Sequence, residues 1–200
     1  MRKLIGKRAI KSIGAAVGLG RIRSARAAGS VNIFAYHRVA ADIQKAEQTT
    51  YHGLVVSTET FRRHCEILKD TFDVVSLDRA YAHLTGKRPS HRPLAVITFD
   101  DGYRDFYEQA FPVLRSLDLT ATVFLPTAYI GKDVPLDHDR LYWLLCRAAK
   151  QNVDVRPALE RAGVPGAKVR RFTGTKLVAR TESLVYLPVA VRERAISELE

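Results

Sequence analysis

The apolar positions of this chain switch between strand-like runs and helical spacing from residue 31 onward. Val31-Asn32-Ile33-Phe34-Ala35-Tyr36 is a β-branched and aromatic run that reads as a buried strand ending at His37-Arg38. The polar stretch to about His52 reads as a loop. Phe61, Cys65, Leu68 and Phe72 then recur at helical spacing, which predicts an amphipathic helix over 58–71 capped by Ser57 or Thr58. Val74-Val75 is a short strand, and Leu77 to Leu84 a short helix stopped by Gly86. After a basic, Pro-bounded loop comes Leu94-Ala95-Val96-Ile97-Thr98-Phe99, a near-continuous apolar run suited to a strand covered on both faces. A helix over roughly 105–117 turns Phe106, Ala110, Val113 and Leu117 inward, with Pro112 expected to bend or divide it. Residues 120–125 form a further strand. This alternation predicts the α/β class, with βαβ units and a parallel sheet or barrel.

Beyond Leu125 the pattern is helical. A helix over 139–150 places Leu141, Leu144, Leu145 and Ala148 on one side, and Tyr142 and Trp143 read first as core aromatics completing a packed face and second as a sugar-stacking platform. Pro157 opens a short helix ending at Gly163, and residues 163–176 are basic and irregular. Pro188 opens a last amphipathic helix carrying Val191, Ala195, Ile196 and Leu199, which reaches Glu200 without a stop signal and reads as cut inside a helix. Three segments result: a basic leader or tail over 1–30, a β/α part over 31–130 and a helical, insertion-like part over 131–200.

Composition narrows the class. An apolar fraction of 46% excludes a wholly disordered chain, and the lack of any run of about 18 apolar residues argues against a transmembrane helix. Two cysteines, Cys65 and Cys146, exclude a CxxC metal knuckle and do not indicate a disulfide framework. The formal charge of +11 is uneven. Residues 1–30 hold eight basic side chains and no acidic one, residues 31–139 carry a net −3, and residues 140–200 a net +6. A nucleic-acid-binding face would not be divided in this way, so no nucleic-acid partner is expected. Residues 1–30 suit an anionic membrane surface or a solvated basic tail. An export signal cut near Ala25-Arg26-Ala27 is the less favoured alternative, because Arg21, Arg23 and Arg26 crowd that position.

The chemistry concentrates at Asp100 and Asp101. Adjacent carboxylates after a buried strand repel each other, and a cation or a shared proton relieves them. They lie where parallel α/β folds place their ligand crevice. Both reach one site only if the chain bends there, and Gly102 supplies that freedom. The structural alternative is that one of them caps the next helix, although Asp105 is nearer to it. Spacing alone leaves hydrolytic metal chemistry, phosphoryl transfer and glycoside cleavage open.

Thr98-Phe99-Asp100-Asp101-Gly102-Tyr103 resembles the first motif of the polysaccharide deacetylases, the family that shares the NodB homology domain. Ala35-Tyr36-His37-Arg38-Val39 is similar to the Tyr-His start of many members, and residues 61–68 and 112–124 resemble the helices and strand around that motif. The resemblance implies a distorted (β/α) barrel, of which this chain holds the N-terminal part. It implies hydrolysis of N-acetyl groups on an N-acetylated oligo- or polysaccharide, with Asp100 as general base and Asp101 as the ligand of a divalent metal, commonly zinc. The family's second motif, a pair of closely spaced histidines, is missing. The six histidines are His37, His52, His64, His83, His91 and His138. His37 reads first as a structural histidine and second as a neighbour of the site. The expectation is a deacetylase-like chain truncated before its histidine motif, poorly stable and with little or no activity. The alternative is a non-catalytic carbohydrate- or membrane-surface-binding protein on a degenerate deacetylase fold.

Overall fold

The structure, a computed structural model, describes residues 29–50, 53–169 and 181–200. The readings made for residues 1–28, for His52 and for most of the basic stretch after Val169 lie outside the described residues. The main sheet is parallel. Strand β1 (Val31–Tyr36) pairs along its whole length with β5 (Leu94–Phe99), from Val31 against Leu94 to Tyr36 against Phe99. On the other side of β5, β4 (Asp73–Val74) joins at its start and β6 (Thr122–Val123) at its end. Because Tyr36 and Phe99 finish in register, His37 and Asp100 leave the sheet at the same end. All six residues of β5 are buried, as its continuous apolar run requires.

The loop expected up to His52 holds two elements that sequence pattern did not reveal. Strand β2 (Arg38–Ala40) pairs in parallel with β3 (Val55–Ser57), and helix α1 (Ile43–Ala46) starts at Asp42, whose carboxylate accepts from the Lys45 N–H. Both are too short to show a period, and β2 depends on a partner fifteen or more residues away. Helix α2 (Thr58–Thr71) has the expected bounds, with the Ser57 hydroxyl accepting from Thr60 N–H at 3.0 Å. Its Phe61, Cys65 and Leu68 pack into a core with Ala95, Ile97, Phe99, Val113 and Leu114. Burial pushes the Cys65 thiol up to about 12, so it serves as a small apolar group. Helix α3 (Leu77–Leu84) is followed by Gly86 in a left-handed conformation (φ +74°).

Pro112 divides the next helix, and the division has a definite form. Residues Phe106–Ala110 are wound as a π-helix in which the Phe111 N–H reaches Phe106 O, and α4 (Phe111–Ser116) then continues as an ordinary α-helix. Proline has no N–H to return to the preceding turn, so the ladder is reset just before it. The final part is helical: α5 (Asp137–Lys150), α6 (Arg156–Arg161), α7 (Gly166–Val169), α8 (Thr181–Val185) and α9 (Val189–Leu199). They share a second core that includes Leu141, Leu144, Leu145, Leu159, Leu184 and Ile196. Tyr142 is buried as expected, but Trp143 is 48% exposed, which corrects the packed face read for both. Leu141, Leu144, Leu145 and Ala148 fill the core-facing stripe of α5, and position 143 falls outside it. Among the described residues no helix is long and apolar enough to cross a membrane.

Candidate active site

The chain bends sharply where β5 ends. Asp101 and Gly102 are both left-handed, with φ of +70° and +59°, so the carboxylates that would point to opposite faces of a strand turn to one side. Glycine suits the second position without strain. A Cβ on Gly102 would lie 2.5 Å from Leu125 Cδ2. Gly102→Ala is therefore expected to lower stability by about 1–2 kcal/mol through the left-handed backbone alone, before Leu125 is displaced. Urea unfolding measures it, and an unchanged midpoint would show that the bend tolerates a side chain.

His37, leaving β1 beside Asp100, places Nε2 at 3.8 Å from Asp100 Oδ2 and 3.9 Å from Asp101 Oδ2. The structure thus brings Asp100, Asp101 and His37 together. It adds His138, in the first turn of α5, whose Nε2 lies 3.8 Å from Asp101 Oδ2. Sequence reading gave His138 no role, and nothing local marks it, since it arrives from 37 positions along the chain through the packing of α5.

A buried network stands behind His138. Asp139, 7% exposed, accepts the Tyr103 hydroxyl proton at 2.6 Å on Oδ2 and the Thr50 hydroxyl at 2.5 Å on Oδ1. Burial, and next the charge of Asp139, raise the Tyr103 hydroxyl far above its ordinary value, so it keeps its single proton. That proton goes to Asp139. The Tyr103 oxygen, 2.7 Å from His138 Nε2, must then accept, which places a hydrogen on Nε2.

Asp105 is not the helix cap that sequence reading allowed. It makes no capping bond; its carboxylate takes Arg38 Nε at 2.7 Å and Val39 N–H at 3.4 Å. Burial raises its carboxyl, against the pull of Arg38. Arg38 in turn lies 4.8 Å over the Tyr103 ring and ties β2 to the site.

The donor set does not complete a metal centre. Asp101 offers a carboxylate, and the Nε2 of His138 is engaged by the Tyr103 hydroxyl at 2.7 Å. Among the described residues no group of three or more His, Cys, Asp or Glu side chains is arranged to hold a metal ion, whereas a catalytic zinc takes three protein ligands. What the arrangement offers is Asp100, Asp101, His37 and His138 joined by contacts of 3.8 to 3.9 Å, with Asp101 also lining a cavity of 390 Å³ beside Arg38, Tyr103, Tyr129 and Asp139.

Comparison with known proteins agrees with the motif. The polysaccharide deacetylase family model matches residues 87–165, which include β5 and the Asp100-Asp101 bend. A curated relative from Bacillus subtilis (strain 168), YxkH, named for polysaccharide deacetylase, is 36% identical over 89 residues, or 44% of this chain. The matched stretch spans 30% of that relative's length. Among solved structures, a de-N-acetylase from Aggregatibacter actinomycetemcomitans shares 27% identity at a TM-score of 0.44, over 54% of this chain and 40% of that one. The Streptococcus pyogenes deacetylase PplD, in complex with acetate, shares 18% identity at a TM-score of 0.44, over 84% of this chain and 80% of the other. Residues 87–165, with the motif they contain, are thus similar to the polysaccharide deacetylase family, and the match spans less than a third of the curated relative's length.

Proposed function

We propose that this chain carries the carboxylate part of a polysaccharide N-deacetylase site, and that as it stands it binds N-acetylated amino-sugar polymers and hydrolyses them little or not at all. The observation that carries this reading is the convergence of Asp100, Asp101 and His37 at one end of the parallel sheet. Asp100 is the base that takes the proton of an attacking water, with His37 at its side. The likeness to the deacetylase family also supports reading the sheet as part of a (β/α) barrel, and the edge strand β1, with Ile33 63% exposed, supports a place for further strands.

Amides are poor electrophiles, and the family is a metal-dependent one. The donors of this site do not complete a metal centre, so nothing in it matches the polarising power that the reaction needs. Slow or absent turnover follows. The test incubates the chain with a hexamer of N-acetylglucosamine in buffer containing zinc or cobalt, and reads binding by calorimetry and acetate by enzymatic assay. Binding with acetate release close to the blank is the expected result. Robust release that disappears in Asp100→Asn would overturn the inactivity, and absence of binding would overturn the carbohydrate reading.

A further inference from the structure

The cavity at the carboxylates does not end there. A second cavity of 490 Å³ shares Thr49, Val134, Pro135 and Asp139 with the first, and runs on to Trp143. Each is of the size of an ordinary small-molecule site, and together they form one groove leading from Asp101 along the 130–136 loop to the outer side of α5. Its exposed apolar positions include Ile130 (63%) and Val134 (51%). Arg38 and Thr49 supply polar groups at the end nearer the carboxylates.

Trp143 is the one large aromatic of α5 that the core leaves out, since its neighbour Tyr142 is buried. An indole half open to water sacrifices burial that the same helix gives to its other apolar residues. The guanidinium of Arg147 lies 5.2 Å over the ring and holds the indole in place, while 48% of the residue stays exposed. A held aromatic surface at the end of a groove that starts at a hydrolytic site suits a ligand with one apolar face and polar edges. A pyranose is such a ligand: its axial C–H groups stack on an aromatic ring while its hydroxyls reach polar groups at the sides.

We infer that the groove is an extended glycan track, with Trp143 as a stacking platform for a sugar remote from the one placed at Asp101. The inference rests on the carbohydrate reading above and deepens it: it names Trp143, outside the carboxylate site, as the residue that holds a second sugar of the same chain. Continuity of the two cavities through Thr49 and Asp139 commits the occupant to the same chain that enters the carboxylate end.

The protein contains a single tryptophan, so its intrinsic fluorescence reports on Trp143 alone. The experiment titrates the full chain with β-linked N-acetylglucosamine oligomers of one to six sugars, following fluorescence and calorimetry in parallel. The expected result is a saturable fluorescence change with the longer oligomers and none with the monosaccharide, and an affinity that rises with length. Trp143→Ala should weaken hexamer binding about tenfold, the scale of an aromatic anchor. Trp143→Phe, which keeps a ring, should recover most of the loss, with circular dichroism showing both variants folded. If the hexamer binds but the emission does not move, and Trp143→Ala binds it as well as the parent chain, the track is overturned and the carbohydrate reading survives. If no oligomer of any length binds, both fall.

Discussion

Truncating Phe99 to alanine is expected to remove about 3–5 kcal/mol of folding stability, the range for a large aromatic deleted from a packed core. Phe99 is 1% exposed and touches three other rings: Tyr36 stacked at 5.5 Å, Phe61 edge-on at 5.5 Å and Phe106 edge-on at 4.8 Å. These rings come from β1, α2 and the π-helical turn, so one side chain joins the three elements that bracket the site. Each aromatic pair adds about 0.5–1.5 kcal/mol beyond the area it buries. The strand around Phe99 is covered on both faces and hydrogen-bonded on both edges, which limits how far the gap can close. The loss is a large part of the 5–15 kcal/mol margin typical of a domain. Urea denaturation followed by circular dichroism checks it. A loss under about 1 kcal/mol would mean that the ring cluster collapses freely into the space. Phe99 immediately precedes Asp100, so the same variant should also loosen the carboxylates.

What could be read in advance was local. The buried strand β5 and the residues 58–71 of α2 were legible because each carries its own period, and the Ser57 cap lies next to the helix it starts. Asp100 and Asp101 were legible because two adjacent acids after an apolar run are improbable without a use for them. The π-helical turn was half legible: Pro112 announced an interruption, but not that the interruption would be an i to i+5 bond from Phe111 to Phe106. The rest of the site is assembled across the chain. Thr50 and Asp139 are 89 positions apart, and Tyr103 and His138 are 35 apart, so no window of sequence contains the network. Asp105 was misread for a similar reason. Its position suited a cap, and only the fold shows that Arg38, 67 residues away, competes for it. The apolar character of Trp143 reads first as core and second as a stacking surface, and its angular position on α5 turns it outward.

Asp139→Ala is expected to cost about 1–3 kcal/mol, because it leaves the buried Thr50 hydroxyl without an acceptor and turns the partly buried Tyr103 hydroxyl away to His138. Thr50 is fully buried, so water does not replace the lost partner there. The carboxylate also joins distant parts of the chain: with the Tyr142 hydroxyl donating to Glu47 O at 3.0 Å, it ties α5 to the segment that follows α1. Asp139→Asn separates geometry from charge. Its amide oxygen can still accept one hydroxyl, and the other hydroxyl can turn to accept from its NH2, so most of the stability should return. The proton on His138 gives a second readout. In the parent chain Tyr103 spends its only proton on Asp139, and His138 carries its hydrogen on Nε2. Once Asp139 becomes alanine, the Tyr103 proton is free to point at His138, which then does best as the acceptor, with its hydrogen moved to Nδ1. Ring-nitrogen NMR should show that tautomer shift in Asp139→Ala. A parent-like His138 spectrum together with parent-like stability would mean that Asp139 does not hold the network, and that His138 faces Asp101 for some other reason.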